Sequence, residues 1–104
     1  MTVTLRYFEG CPHWRLAEAR AQEALERLRR DDEVVHERIE TDEDAVRVGF
    51  RGSPTVLIDG LDPFASDGPV GLSCRVYSTE AGREGAPSIE QLVRALDTES
   101  GAAS

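Results

Sequence analysis

Residues 2–8 alternate Val3, Leu5 and Tyr7 against Thr2, Thr4 and Arg6, the two-residue period of a strand. From Pro12 to about Arg30 the period lengthens. Trp14, Ala17, Ala21, Leu25 and Leu28 recur at helical spacing with charges on the opposite face, and Asp31 and Asp32 end that first helix. Residues 33–39 predict a second strand with Val35 and Ile39 on one face. Thr41 then starts a cap pattern, with Asp42, Glu43 and Asp44 in the first turn of a short helix through about Val48. A side-chain oxygen and negative charge there satisfy the free N–H groups of the helix start.

Gly49, Gly52 and Pro54 punctuate the next stretch, after which Thr55-Val56-Leu57-Ile58 is an apolar run suited to a buried strand. Glycines and prolines make residues 60–71 a loop. Leu72, Cys74 and Val76 next alternate with Ser73, Arg75 and Tyr77, which predicts a fourth strand returning antiparallel to the third. After a loop over 78–87, Ser88-Ile89-Glu90-Gln91 is a capping box for a helix with Ile89, Leu92, Val93 and Leu96 on one side. With right-handed crossovers this order predicts an α/β domain over residues 1–97, a mixed four-stranded sheet with helices on both faces. Residues 98–104 are expected to be a frayed polar tail.

Composition narrows the function. A chain of 104 residues supports one core, and 39% hydrophobic with 31% charged residues is the balance of a globular protein. The net charge of −8 argues against nucleic acid or an anionic membrane as partner, since either would meet repulsion. The start, Met1-Thr2-Val3-Thr4-Leu5-Arg6, carries no signal-peptide pattern, and no apolar stretch is long enough to span a bilayer. A soluble, cytoplasmic protein is expected. In that reducing setting its two cysteines point to catalysis, metal binding or burial rather than a permanent crosslink.

Cys11 stands where the first strand runs out at Gly10 and the helix begins. At the N-cap or first helical position its sulfur would face unpaired N–H donors and the positive end of the macrodipole, which favour thiolate, and Pro12 suits a first turn. His13 is expected to face solvent and modulate Cys11; His36 lies far from it, so no metal-ligand set is evident, and no cofactor is implied. Trp14 is either a lid over the sulfur or a core anchor, and Tyr7 either core or a hydrogen-bond donor to the site. Cys74, 63 residues on from Cys11, has two readings as well: a buried thiol sharing a face with Leu72 and Val76, or a second catalytic thiol. If Val56 faces Cys74 across a symmetric loop, the two cysteines lie just beyond disulfide reach.

The element order resembles the thioredoxin-like fold over nearly the whole chain. That resemblance implies a reactive cysteine after the first strand and a cis-proline just before the third, places held here by Cys11 and by Ser53-Pro54-Thr55. Cys11-Pro12-His13-Trp14 is similar to the motif of DsbA-type disulfide oxidases, except that Trp14 stands in place of the resolving cysteine, leaving a monothiol route or resolution from elsewhere. Tyr7-Phe8-Glu9-Gly10-Cys11-Pro12, Gly52-Ser53-Pro54-Thr55 and Gly71-Leu72-Ser73-Cys74-Arg75-Val76-Tyr77 together resemble small bacterial thioredoxin-like proteins, some with selenocysteine, often labelled alkylmercury-lyase-like. This second resemblance implies two separated cysteines, Cys11 and Cys74, that act on a carbon–mercury bond. The aspartate of that chemistry is replaced by Trp14.

Three functions follow as expectations. The first is a thiol redox protein in which Cys11 attacks a disulfide or peroxide, or accepts a low-molecular-weight thiol, while the backbone beside Pro54 aligns the partner as an added strand. The second is organomercurial cleavage or Hg(II) capture by Cys11 and Cys74. The third is a non-catalytic adaptor on the same scaffold. Oligomeric state is left open.

Overall fold

The computed structural model describes residues 2–64 and 68–101, with side chains through residue 98. Eight elements follow in order: β1 (Val3–Tyr7), α1 (Trp14–Arg27), β2 (Val34–Arg38), α2 (Asp42–Val48), β3 (Thr55–Ile58), β4 (Tyr77–Thr79), β5 (Gly82–Glu84) and α3 (Ile89–Gly101). β1 is central in a three-stranded mixed sheet of order β2-β1-β3, parallel to β2 and antiparallel to β3. Val3 and Leu5 of β1, Val56 and Ile58 of β3, Ala17, Ala21 and Leu25 of α1, and Leu92 and Leu96 of α3 form one buried cluster. α1 and α3 thus close one face. On the other face Arg6 reaches the Val48 carbonyl at 3.3 Å, and a smaller cluster of Ile39, Ala45 and Phe50 seats α2.

The helix boundaries follow from local chemistry. Thr41 caps α2 by accepting from the Asp44 N–H at 3.0 Å, and Gly49, at φ 70, closes it in the left-handed conformation that glycine adopts without strain. Ser88 and Gln91 form the reciprocal box at the start of α3, at 2.9 and 3.1 Å. α1 begins later than expected. Cys11 spends its N–H on the Phe8 carbonyl, 3.1 Å, closing a turn over Glu9 and Gly10, and the cap falls on His13. Cys11 and Pro12 therefore precede the helix rather than open it. α3 runs on through Gly101, past the start expected for the tail, because extending a docked helix needs no new nucleus; residues 102–104 lie outside the described residues.

The expected fourth strand is where sequence and structure part. Among the described residues, 72–76 join no sheet: a single parallel bridge links Cys74 to Ser53, and β4 and β5 pair only with each other. The alternation in this stretch is real but its phase is inverted. Arg75 and Tyr77 point inward, at 6% and 5% exposure, while Cys74 and Val76 face out. A one-residue change of phase exchanges the two faces of a strand, and the inward face here belongs to an arginine with partners rather than to the apolar set. Among the described residues no helix is long and apolar enough to cross a membrane.

Candidate functional site

The site forms where the chain leaving β1 meets the chain entering β3. Cys11 is fully buried, and its thiol donates to the Ser53 carbonyl at 3.3 Å. Ser53 is itself buried, and its peptide bond to Pro54 is cis. The same carbonyl accepts the Arg75 N–H at 2.8 Å, and the Ser53 N–H donates to the Ser73 carbonyl at 2.8 Å. Cys74 sits between those two bonds.

The outcome is a pair of free cysteines, one buried and one exposed, on either side of the Ser53 backbone. A hydrogen bond with Cys11 raises the Cys74 thiol above its ordinary value, with smaller contributions from burial and from the charge of Cys11. The antiparallel register expected for Cys74 placed it beyond reach of Cys11; the parallel bridge to Ser53 brings it alongside. The buried reading of Cys74 is corrected too, since the residue is exposed.

The edge expected to receive a partner strand is already taken. Both backbone groups of Ser53 are bonded to residues 73 and 75, the Pro54 carbonyl accepts the Tyr77 hydroxyl at 2.5 Å, and Thr55 Oγ1 donates to the Gly52 carbonyl at 2.7 Å. Ser53, Pro54 and Thr55 thus bind the chain's own segment 73–77.

The other expected site residues are placed elsewhere. Trp14 stacks on Tyr7 with ring centroids 4.3 Å apart, His36 meets both rings edge-on, and Trp14 packs against the main core; of its two readings the anchor is the one realised. Tyr7 is half-buried in the same stack. His13 is exposed, makes no capping bond, and lies so close to Gly85 that a Cβ there would overlap its ring.

Arg75, Tyr77, Asp62, Phe64 and Gly52, near the pair, were not among the expected site residues. Arg75 donates to Asp62 at 2.6 Å, to Thr55 Oγ1 at 3.4 Å and to the Phe64 carbonyl, and its guanidinium lies 4.6 Å over the Tyr77 ring. Burial holds the Tyr77 hydroxyl protonated well above its ordinary value of 10.0, with Arg75 acting in the opposite direction. Gly52, at φ 116, allows the close approach: a Cβ there would stand 3.0 Å from the Arg75 Cβ. The available signal was an arginine two residues from a tyrosine within an otherwise apolar alternation.

Among the described residues no group of three or more His, Cys, Asp or Glu is gathered to hold a metal ion. Comparison of the chain with protein-family models, with curated proteins and with solved structures finds no match.

Proposed function

We propose that this chain is a thiol redox protein of thioredoxin-like build, in which Cys11 and Cys74 cycle between a dithiol and an internal disulfide. One observation carries the reading: a buried free thiol and an exposed free cysteine meet at Ser53, whose carbonyl accepts the Cys11 thiol and whose backbone is bridged to Cys74. The thioredoxin-like part is supported by the mixed β2-β1-β3 order, the cysteine after β1 and the cis-proline before β3.

Exposure sets the order of events. Cys74 is the sulfur an incoming disulfide meets, so it attacks as it gives up its proton, forming a mixed disulfide and expelling the first substrate thiolate, which takes up that proton. The Cys11 sulfur then attacks that of Cys74, releases the second substrate thiol and leaves the protein oxidised by two electrons. This reverses the expected roles, in which Cys11 met the substrate. The substrate class is a disulfide or low-molecular-weight thiol adduct, and the reaction needs no cofactor. A second reading uses the same pair, because two adjacent thiolates suit a soft, two-coordinate cation such as Hg(II). Carbon–mercury cleavage lacks its proton donor here, since the position of the aspartate holds Trp14, stacked on Tyr7.

Intact-mass analysis after mild oxidation tests the proposal on wild type, Cys11→Ser and Cys74→Ser. Wild type should lose two hydrogens and gain no adduct, Cys11→Ser should dimerise or trap a thiol at Cys74, and Cys74→Ser should stay unmodified at its buried Cys11. An unchanged wild type overturns the redox reading in favour of the adaptor. In the same three proteins, stoichiometric Hg(II) binding lost in either variant supports metal capture.

A further inference from the structure

Cys74 is placed by a segment with little apolar support. Its neighbour Arg75 is 6% exposed, whereas Val76 is 56% exposed, so the inward anchor of the segment is a charged side chain. Fully buried arginine is uncommon without partners, and Arg75 has them on every side: the Asp62 carboxylate at 2.6 Å, Thr55 Oγ1 at 3.4 Å, the Phe64 carbonyl and the Tyr77 ring face. Its backbone N–H meanwhile bonds to the Ser53 carbonyl, the acceptor of the Cys11 thiol. One residue therefore ties the side that carries Cys74 to the atom that orients Cys11.

We propose that Arg75 is the positioning residue of the thiol pair: clamped by Asp62, Thr55 and the Phe64 carbonyl, it fixes the backbone that holds the Cys74 sulfur against Cys11. This rests on the dithiol reading and adds the device that sets how readily the disulfide closes. Bond formation between two sulfurs depends on their being held in near-attack geometry, so loosening the clamp lowers the effective concentration of one thiol at the other. Lysine keeps the charge opposite Asp62 but lacks the planar fork that also reaches Phe64 and Thr55.

The experiment equilibrates wild type, Arg75→Lys, Asp62→Asn and Glu84→Gln in buffers of reduced and oxidised glutathione. In these buffers the protein dithiol passes two electrons to oxidised glutathione and becomes the internal disulfide. Glu84→Gln is the control, because Glu84 anchors a comparable arginine clamp, with Arg20 at 3.0 Å, that touches neither cysteine. Thermal unfolding is recorded for each. Arg75→Lys and Asp62→Asn should lower the equilibrium constant for disulfide formation on the order of tenfold. Glu84→Gln should lower the melting temperature without moving that constant. In Arg75→Lys the pH midpoint for alkylation of Cys74 should also fall, as Cys11 no longer holds its thiol above the ordinary value. Should Arg75→Lys fail to fold, Asp62→Asn, which leaves the arginine in place, decides alone. A wild-type disulfide that forms normally with constants equal across all four proteins overturns the role of Arg75 and spares the dithiol reading. Equal shifts in the clamp variants and in Glu84→Gln do the same, since the effect is then one of general stability. A wild type that forms no internal disulfide removes the dithiol reading and the proposal with it.

Discussion

Cys11 follows β1, a strand paired on both sides and packed beneath α1 and α3, whereas Cys74 lies on a segment that belongs to no sheet. The first region is held by aliphatic burial: Leu5 and Ile58 are 1% and 0% exposed, and the hydrogen bonds around them form a regular ladder. The second is held by directional contacts, three backbone bonds to residues 50–53 and the partners of Arg75. Burial is non-directional and shared by many atoms, while a polar clamp fails when one member is removed. A thiol pair with one sulfur on each kind of support has a fixed half and an adjustable half.

The largest expected effect breaks the fixed half. Ile58→Ala leaves a cavity in the fully buried cluster, and about 2–5 kcal/mol of stability should be lost in denaturant unfolding. Because β3 carries Ser53 and Pro54 toward both sulfurs, hydrogen-exchange protection should fall across β1 and β3 together. A loss confined to β3 would show that the two strands are not one cooperative unit. Tyr77→Phe acts on the adjustable half. It removes the hydroxyl that bonds to the Pro54 carbonyl, and about 1–3 kcal/mol should be lost through the unsatisfied buried oxygen. Here the amides of Ser53 and Arg75 should exchange faster while those of β1 keep their protection. Equal loss of protection in β1 would erase the distinction between the two regions.

The same division explains what was legible beforehand. β1, α1, β2, α2, β3 and α3 announce themselves through apolar periodicity and the caps at Thr41 and Ser88, because burial and capping are properties of short sequence windows. The place of Cys11 after β1 was legible too. Its burial was not, since that depends on the turn closed by its own N–H and on Ser53, which is distant in sequence. The stretch 72–77 misled for a sharper reason. Cys74 and Val76 look like the inward set, yet the inward set is Arg75 and Tyr77, whose burial needs Asp62, Thr55 and Phe64 already in place. An arginine satisfied by remote partners leaves only its spacing from the tyrosine as a local sign of the phase it imposes.

The smallest effect is a pH dependence that separates the two halves by titration. The folded protein holds the Cys74 proton more tightly than the unfolded chain does, chiefly through the hydrogen bond with Cys11. Its stabilisation is therefore complete below the ordinary thiol value of 9.0 and is lost as pH rises through the raised folded value. Tyr77, whose hydroxyl burial also keeps protonated, adds a second decline beginning only above its ordinary value of 10.0. The reduced protein should thus lose stability in two successive alkaline phases, followed by chemical denaturation at a series of pH values. Cys74→Ser should flatten the first and leave the second, and oxidation to the disulfide should do the same because neither sulfur then titrates. If the first phase survives in both, the proton is not shared between the thiols, and the contact that joins the fixed half to the adjustable half is absent in solution.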